Sequence, residues 1–237
     1  MFTVAIHQPH YLPYCGYLDK WDQADLLILL DDAQFTRGGW QNRNCIKTTQ
    51  GRHLLTVPVR HAGFRTLRET EIDYTRRWDR AHIRTLEQAY ARAPHRHLLS
   101  AVTAEVYCQR WKALSELGIG CTLAFGRQFS IETPTVLASS LNVPGSSSQR
   151  LADLCRAVGA DAYLAGDGCR VYLDEQPFNR VGVEVLWQDF THPHWQQLHD
   201  RHGFLSHLSA LDLLLNTGPE EARAVLRGAR LFAGAAQ

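Results

Sequence analysis

No run of eighteen apolar residues occurs in this 237-residue chain, so the pattern of a membrane-spanning helix is missing. Met1 to Ile6 also lacks the basic start and long apolar segment of a secretory leader. These two absences predict a cytoplasmic protein with no membrane partner. Close cysteine pairs are missing as well. Cys15, Cys45, Cys108, Cys121, Cys155 and Cys169 are scattered, without the spacing of structural zinc sites, and read as buried thiols. There is no HExxH pattern, no internal repeat and no low-complexity segment. Net charge is small, at +1, but uneven: Arg37 to Arg110 holds fourteen Lys/Arg against six Asp/Glu. That stretch suits either a phosphorylated ligand or a solvated face balanced by acidic neighbours. It contains no sustained basic run, so nucleic acid is not an expected partner, an aminoacyl-tRNA donor excepted.

What is present points to an α/β protein. With 45% hydrophobic residues, the length allows one domain with a substantial core, expected over residues 1–230 with a flexible tail at 231–237. "FTVAI" reads as a buried strand, "YCGYLDKWDQA" as about two helical turns, and "DLLILLDD" as a second strand. Strand, helix, strand within some thirty residues is a βαβ unit and implies parallel pairing. "NRNCIKT" and "RHLLTVPV", joined by "QG", predict a hairpin, and "EIDY" a further short strand. From 76 to 130 the pattern turns helical, with Trp78, His82, Leu86 and Tyr90 on one face. "TPTVLASSL", "AYLAG" and "VEVLWQDF" predict strands. "SSSQRLADLCRAVGA" predicts a helix with serine caps, and "SALDLLLNTG" one capped by Ser209. The expected architecture is a Rossmann-like parallel or mixed sheet with a helical insertion after its first half.

Ligands of such sheets sit beyond the carboxyl ends of strands. The first strand delivers "HQPHYLPYCGY", which packs two histidines, two prolines and three tyrosines into eleven residues. His7 and His10 are the expected catalytic imidazoles, able to take a proton from an amine or stabilise an oxyanion, with Gln8 and Tyr14 as substrate contacts. The second strand delivers Asp31, expected to orient a substrate amine, and Asp32, a binding carboxylate. Adjacent parallel strands predict that these imidazoles and acids share a crevice. Asn42, Arg43 and Lys47 fall on a strand edge, where Arg43 and Lys47 alternate onto one face and suit an anionic donor. His82 is either a substrate contact or a hydrogen-bonded core histidine. Asp167, between Gly166 and Gly168, forms a tight turn that permits close approach of a ligand. A Cys15–His10 nucleophile pair is also conceivable, since a helix N-terminus depresses thiol pKa. His192, His194, His199 and His202 read as a surface segment or lid, with no metal site required.

The block "HQPHYLPYCGYLDKWDQADLLILLDDAQFTRGGWQNRNCIKT" resembles the start of the WbqC-like protein family. "LLTVPV", the Trp78–Tyr90 helix, "SSQRLADLCRAVGADAYLAGDGCRVYL" and "LSALDLLLNTG" extend the resemblance over nearly the whole chain. It implies a role in glycan or natural-product biosynthesis, as a small-molecule transferase that N-acylates or aminoacylates an amino sugar or related amine. The implied partners are that substrate and an anionic acyl or nucleotide donor. The loop after the first strand is also similar to the HxGH region of nucleotidylyltransferases, with His10 in the first histidine's place, Gly16 in the glycine's, and Tyr17 where the second histidine stands. That similarity implies an alternative, nucleotidyl or adenylyl transfer using ATP with Mg²⁺. A non-catalytic ligand-binding subunit of a biosynthetic complex is the third expectation.

Overall fold

The computed structural model describes residues 1–60 and 63–233. The chain opens with β1 (Thr3–His7), α1 (Cys15–Gln23) and β2 (Leu26–Leu29), and β1 and β2 run parallel with Ile6 opposite Ile28. A separate antiparallel hairpin follows, β3 (Arg43–Thr48) and β4 (Gly51–Thr56), whose turn places Gly51 at φ +97°. Next come α2 (Trp78–Ala89), α3 (Leu98–Val106) and α4 (Leu114–Gln128). The chain then alternates through β5 (Thr135–Leu137), α5 (Ser147–Ala157), β6 (Ala162–Ala165), α6 (Gln176–Val181) and β7 (Glu184–Trp187), and ends with α7 (Leu211–Thr217) and α8 (Pro219–Ala233). The tail expected at 231–237 falls, from residue 234 onward, outside the described residues. Among the described residues, no helix is long and apolar enough to cross a membrane.

Five strands form one parallel sheet in the order β5-β2-β1-β6-β7, so the fold is α/β. Strand alternation builds a core on each face. Val4, Ile6 and Ile28 point into one, with Tyr163 and Phe178; Ala5, Leu27 and Leu29 point into the other, with Leu18 and Phe125. The chain grows outward from β1 through β2 to β5, then crosses back to lay β6 on the other side of β1. The order therefore reverses between β1 and β6, and a crevice opens there beyond the strand ends.

Helix α4 leads back into the sheet and packs on α1. A Cβ at Gly126 would lie 2.3 Å from the Trp21 ring, so only glycine admits this contact. Gly126→Ala is expected to destabilise the protein by about 1–3 kcal/mol through overpacking. Urea unfolding reads this directly, and an unchanged midpoint would contradict it.

Several local expectations need correction. "TPTVLASSL" is a strand for three residues only; Ala138–Leu141 turns into a 3₁₀ helix, because the Ser139 amide and hydroxyl both donate to Asp31. "EIDY" pairs only through isolated bridges, Val59 with Ile72 and Glu71 with Ala113. Ser146 precedes α5 without a side-chain cap, and the Ser148 hydroxyl instead accepts the Asp174 amide. The N-cap of α7 is Ala210, not Ser209, although the Ser209 hydroxyl accepts the Leu211 amide at 3.2 Å from one residue earlier.

Candidate functional site

A cavity of about 580 Å³ occupies the crevice between β1 and β6. Its size suits a small-molecule ligand. Ile6, His7 and Gln8 reach it from the end of β1, and Gly166 to Cys169 from the end of β6. Tyr14, Gly16 and Lys20 enter from α1 and its approach, while Gln188, Phe190 and His207 belong to the irregular segment after β7.

The loop between β1 and α1 is pinned from outside the sheet. Asn44 donates its amide to the Leu12 carbonyl, which fixes Leu12 at φ 45°. Pro9 packs against Gly118, where a Cβ would come within 2.9 Å of it. This turns His10 back onto His7, with ring centroids 4.6 Å apart and edge-to-face, and both lie against Tyr17. His7 Nδ1 lies 2.9 Å from the Gln8 carbonyl, so Nδ1 carries the proton and Nε2 keeps its lone pair. His10 is buried, and its Nδ1 has no partner among the described residues. Burial, and after it the Lys20 charge, lowers both pKa values: His7 well below its ordinary value and His10 to about 3. Both imidazoles are therefore neutral at pH 7.

Lys20 is a residue of this cavity that sequence reasoning missed. Its side chain is 3% exposed, and Nζ donates to the Ile6 carbonyl at 2.9 Å beside Gly166. Burial lowers its pKa to about 8, so at pH 7 it remains a cation with donors to spare. A signal was present: Gly16 and Lys20 are four residues apart and share a helix face. Gln188 braces that face by donating to the Gly16 carbonyl and to Asp19.

Tyr14 lies over Gly16, where a Cβ would meet its ring at 2.6 Å, and burial raises its phenol to about 12. Gln8 accepts from Gln41 at 2.7 Å. Among the described residues Asp167 is the one acid lining the cavity; it accepts the Phe190 amide at 2.9 Å and pairs with Arg170 at 3.4 Å. Five expected residues, His7, Gln8, His10, Tyr14 and Asp167, thus meet in one place.

The others do not join them. Asp31 is 3% exposed, and its oxygens accept from Ser139 at 2.7 and 3.0 Å; it points toward β5, not to the imidazoles. Asp32 pairs with Arg150 at 2.6 Å. Neither acid lines the cavity, so the shared crevice expected of imidazoles and paired carboxylates is not formed. Asp31 is also unsuited to hold Mg²⁺ beside a donor there, because Ser139 takes both its oxygens. His82 accepts or donates to the Tyr11 hydroxyl at 2.8 Å within a cluster of Trp78 and Tyr107, and burial lowers it to about 4: a core histidine. Lys47 is buried under the hairpin, donating to the Gly203 carbonyl and Gln197, which ends its expected partnership with Arg43. Asn42 and Arg43 line a different cavity. Burial raises the Cys15 thiol, the reverse of an activated nucleophile. In the histidine-rich segment, His192 donates to the Pro193 carbonyl and accepts the His207 amide, while His199 bonds the Ala89 carbonyl. Among the described residues no group of three potential ligands forms a metal site.

A family model described as the WbqC-like protein family matches residues 8–224. The uncharacterized protein Rv1507c of Mycobacterium tuberculosis is 36% identical over 224 residues, spanning 93% of this chain and 96% of that protein. No solved structure matches the chain.

Proposed function

The chain belongs to the WbqC-like protein family, and on that premise we propose that it is a small-molecule transferase, N-acylating or aminoacylating an amino sugar or related amine. The observation that carries this reading is the trio on one cavity: two neutral imidazoles and one buried, charged amine. The acceptor nitrogen attacks the donor carbonyl carbon, forming the C–N bond and breaking the bond to the donor's leaving atom. His7 Nε2 takes the proton that the attacking amine sheds and returns it to the leaving group. Lys20 meets the oxyanion that develops on the carbonyl, or an anionic group of the donor.

Lys20 also sets the timing. Its charge contributes to holding His7 and His10 neutral. An anion bound at Lys20 cancels that contribution, so donor binding raises imidazole basicity at the moment a base is needed.

The test is product formation, read by mass spectrometry, from amine acceptors offered with thioester, aminoacyl-tRNA, or free acid plus ATP and Mg²⁺. His7→Gln is expected to lower kcat by roughly 10²–10⁴ with the fold retained. No product and no ligand protection across these combinations would end the transferase reading.

One observation favours adenylyl or nucleotidyl transfer as a second reading: α1 starts directly after the imidazole loop and presents its first turn at Gly16 to the cavity. That reading requires pyrophosphate release from ATP. Ligand binding without turnover would instead favour a non-catalytic subunit.

A further inference from the structure

Behind the candidate site lies a second cavity, of about 700 Å³, and we infer that it binds the phosphate of a small, phosphate-bearing donor. Arg37, Gly38, Asn42 and Arg43 line it, together with the edge of β4. No acid is among the lining residues, and among the described residues neither guanidinium is in an ion pair. Two like charges lining one hollow repel, and among the described residues no acid there offsets them.

Arg43 is held for this role. Its guanidinium rests on Gly38, at φ +84°, where a Cβ would stand 3.4 Å from Nη2, and it lies 5.9 Å from the centre of the Trp40 ring. Its Nε, a donor, is buried without a hydrogen-bond partner among the described residues, while the Asn42 amide nitrogen donates to the Val57 carbonyl. Buried polar groups of this kind cost free energy unless a partner arrives. A forked guanidinium with a second one lining the same hollow matches a phosphate dianion better than a single carboxylate.

The two cavities share a wall. Residues 36–44 form it: Trp40 and Asn44 line the cavity that holds the imidazoles, and Arg37, Asn42 and Arg43 line the second hollow. Gln41, between them, donates to Gln8 of the first cavity and accepts the Thr36 amide. Trp40 is 44% exposed, which leaves part of its ring open, beside the Arg43 contact, for a base or acyl chain to stack while crossing from one cavity to the other. A donor anchored by phosphate at Arg43 thus reaches the imidazoles with its reactive carbonyl. The cavity volume suits a nucleotide-sized carrier. The donor's identity rests on the transferase reading above; the anion site does not.

Inorganic phosphate titrated into the full chain by calorimetry tests the site. Wild type is expected to bind, Arg43→Gln to weaken binding tenfold or more, and Arg43→Lys, which keeps charge without the fork, to fall between. Circular dichroism confirms that each variant is folded. Undiminished binding by Arg43→Gln, no binding by wild type, or equal binding of acetate would overturn the proposal. Unfractionated tRNA binding a hundredfold tighter than phosphate, with steep salt dependence, would overturn its small-carrier form. Phosphate binding that depends on Arg43 without any transfer activity leaves the site standing and removes the transferase reading. Turnover by Arg43→Gln at the wild-type donor KM does the reverse.

Discussion

Replacing Lys20 with methionine is expected to make the protein more stable at pH 7 and functionally silent. The fall in pKa from 10.5 to about 8 corresponds to about 3 kcal/mol of unfavourable charge burial. Methionine fills a similar volume without the charge. It also gives up the bond to the Ile6 carbonyl, which offsets about 1 kcal/mol of the gain. The net of about 2 kcal/mol raises Tm by roughly 4–8 °C in a domain of this size. The pH dependence has a definite sign. Between pH 8 and 10.5 the unfolded chain holds this proton more tightly than the folded one, so wild-type stability rises across that window. Below pH 8 the full penalty is present. Lys20→Met should therefore gain most at pH 7 and little near pH 10. Scanning calorimetry at both pH values checks this, and a variant less stable than wild type at pH 7 would show that Lys20 is a structural contact only.

The same substitution removes the cation from the candidate site. On the proposed reading, kcat/KM falls by at least a hundredfold, as for loss of one oxyanion donor. Wild-type activity should also decline above pH 8, where Lys20 loses its proton, and Lys20→Met should lack that limb. Stability and activity moving in opposite directions is the signature of a charge retained for binding. A purely structural lysine would move both downward.

The legible parts of this chain are those decided within about thirty residues. "FTVAI" and "DLLILL" are too apolar to be surface and too short to be helices, and the helix between them fits the gap, so the βαβ unit follows. The strand-end rule then places His7, Gln8 and His10 at a ligand crevice before any coordinates exist. Asp31 marks where that logic stops. Its position at a strand end is as expected, yet its direction is set by Ser139, 108 residues away, on the far side of β2 from β6. Nothing local announces which neighbour a strand will take. Lys47 is misleading for the same reason: strand alternation places it on a face, but the segment around Gly203 covers that face and accepts its hydrogen bonds. Arg43, four residues earlier, escapes this cover and opens on a cavity instead. Lys20 was hidden differently, as one charge in a helix where a solvated lysine is the ordinary case.

Acid is expected to unfold this protein near pH 5, well above the carboxylate range. His10, His82 and His192 are held neutral by burial, with pKa values of about 3, 4 and 4, and His7 is lowered as well. In the unfolded chain each takes a proton near pH 6.5. Stability is complete above that value and is lost as pH falls through it, by close to 1.4 kcal/mol per pH unit for each histidine. At pH 5 His10 and His82 together forfeit roughly 4 kcal/mol, and the more exposed His192 a smaller, solvent-screened share, against a typical total of about 5–15 kcal/mol. The effect is separable from the candidate site, because His82 lies in the core with Tyr11 and His192 in the segment after β7. His82→Gln keeps a hydrogen-bonding group opposite Tyr11 but cannot be charged. It should lower stability at pH 7 and yet flatten the loss between pH 7 and 5 by about 2 kcal/mol. Circular dichroism followed through a pH titration, with urea unfolding at pH 7 and 5, measures both quantities. A midpoint below pH 4, unchanged in His82→Gln, would mean that the folded protein accepts these protons.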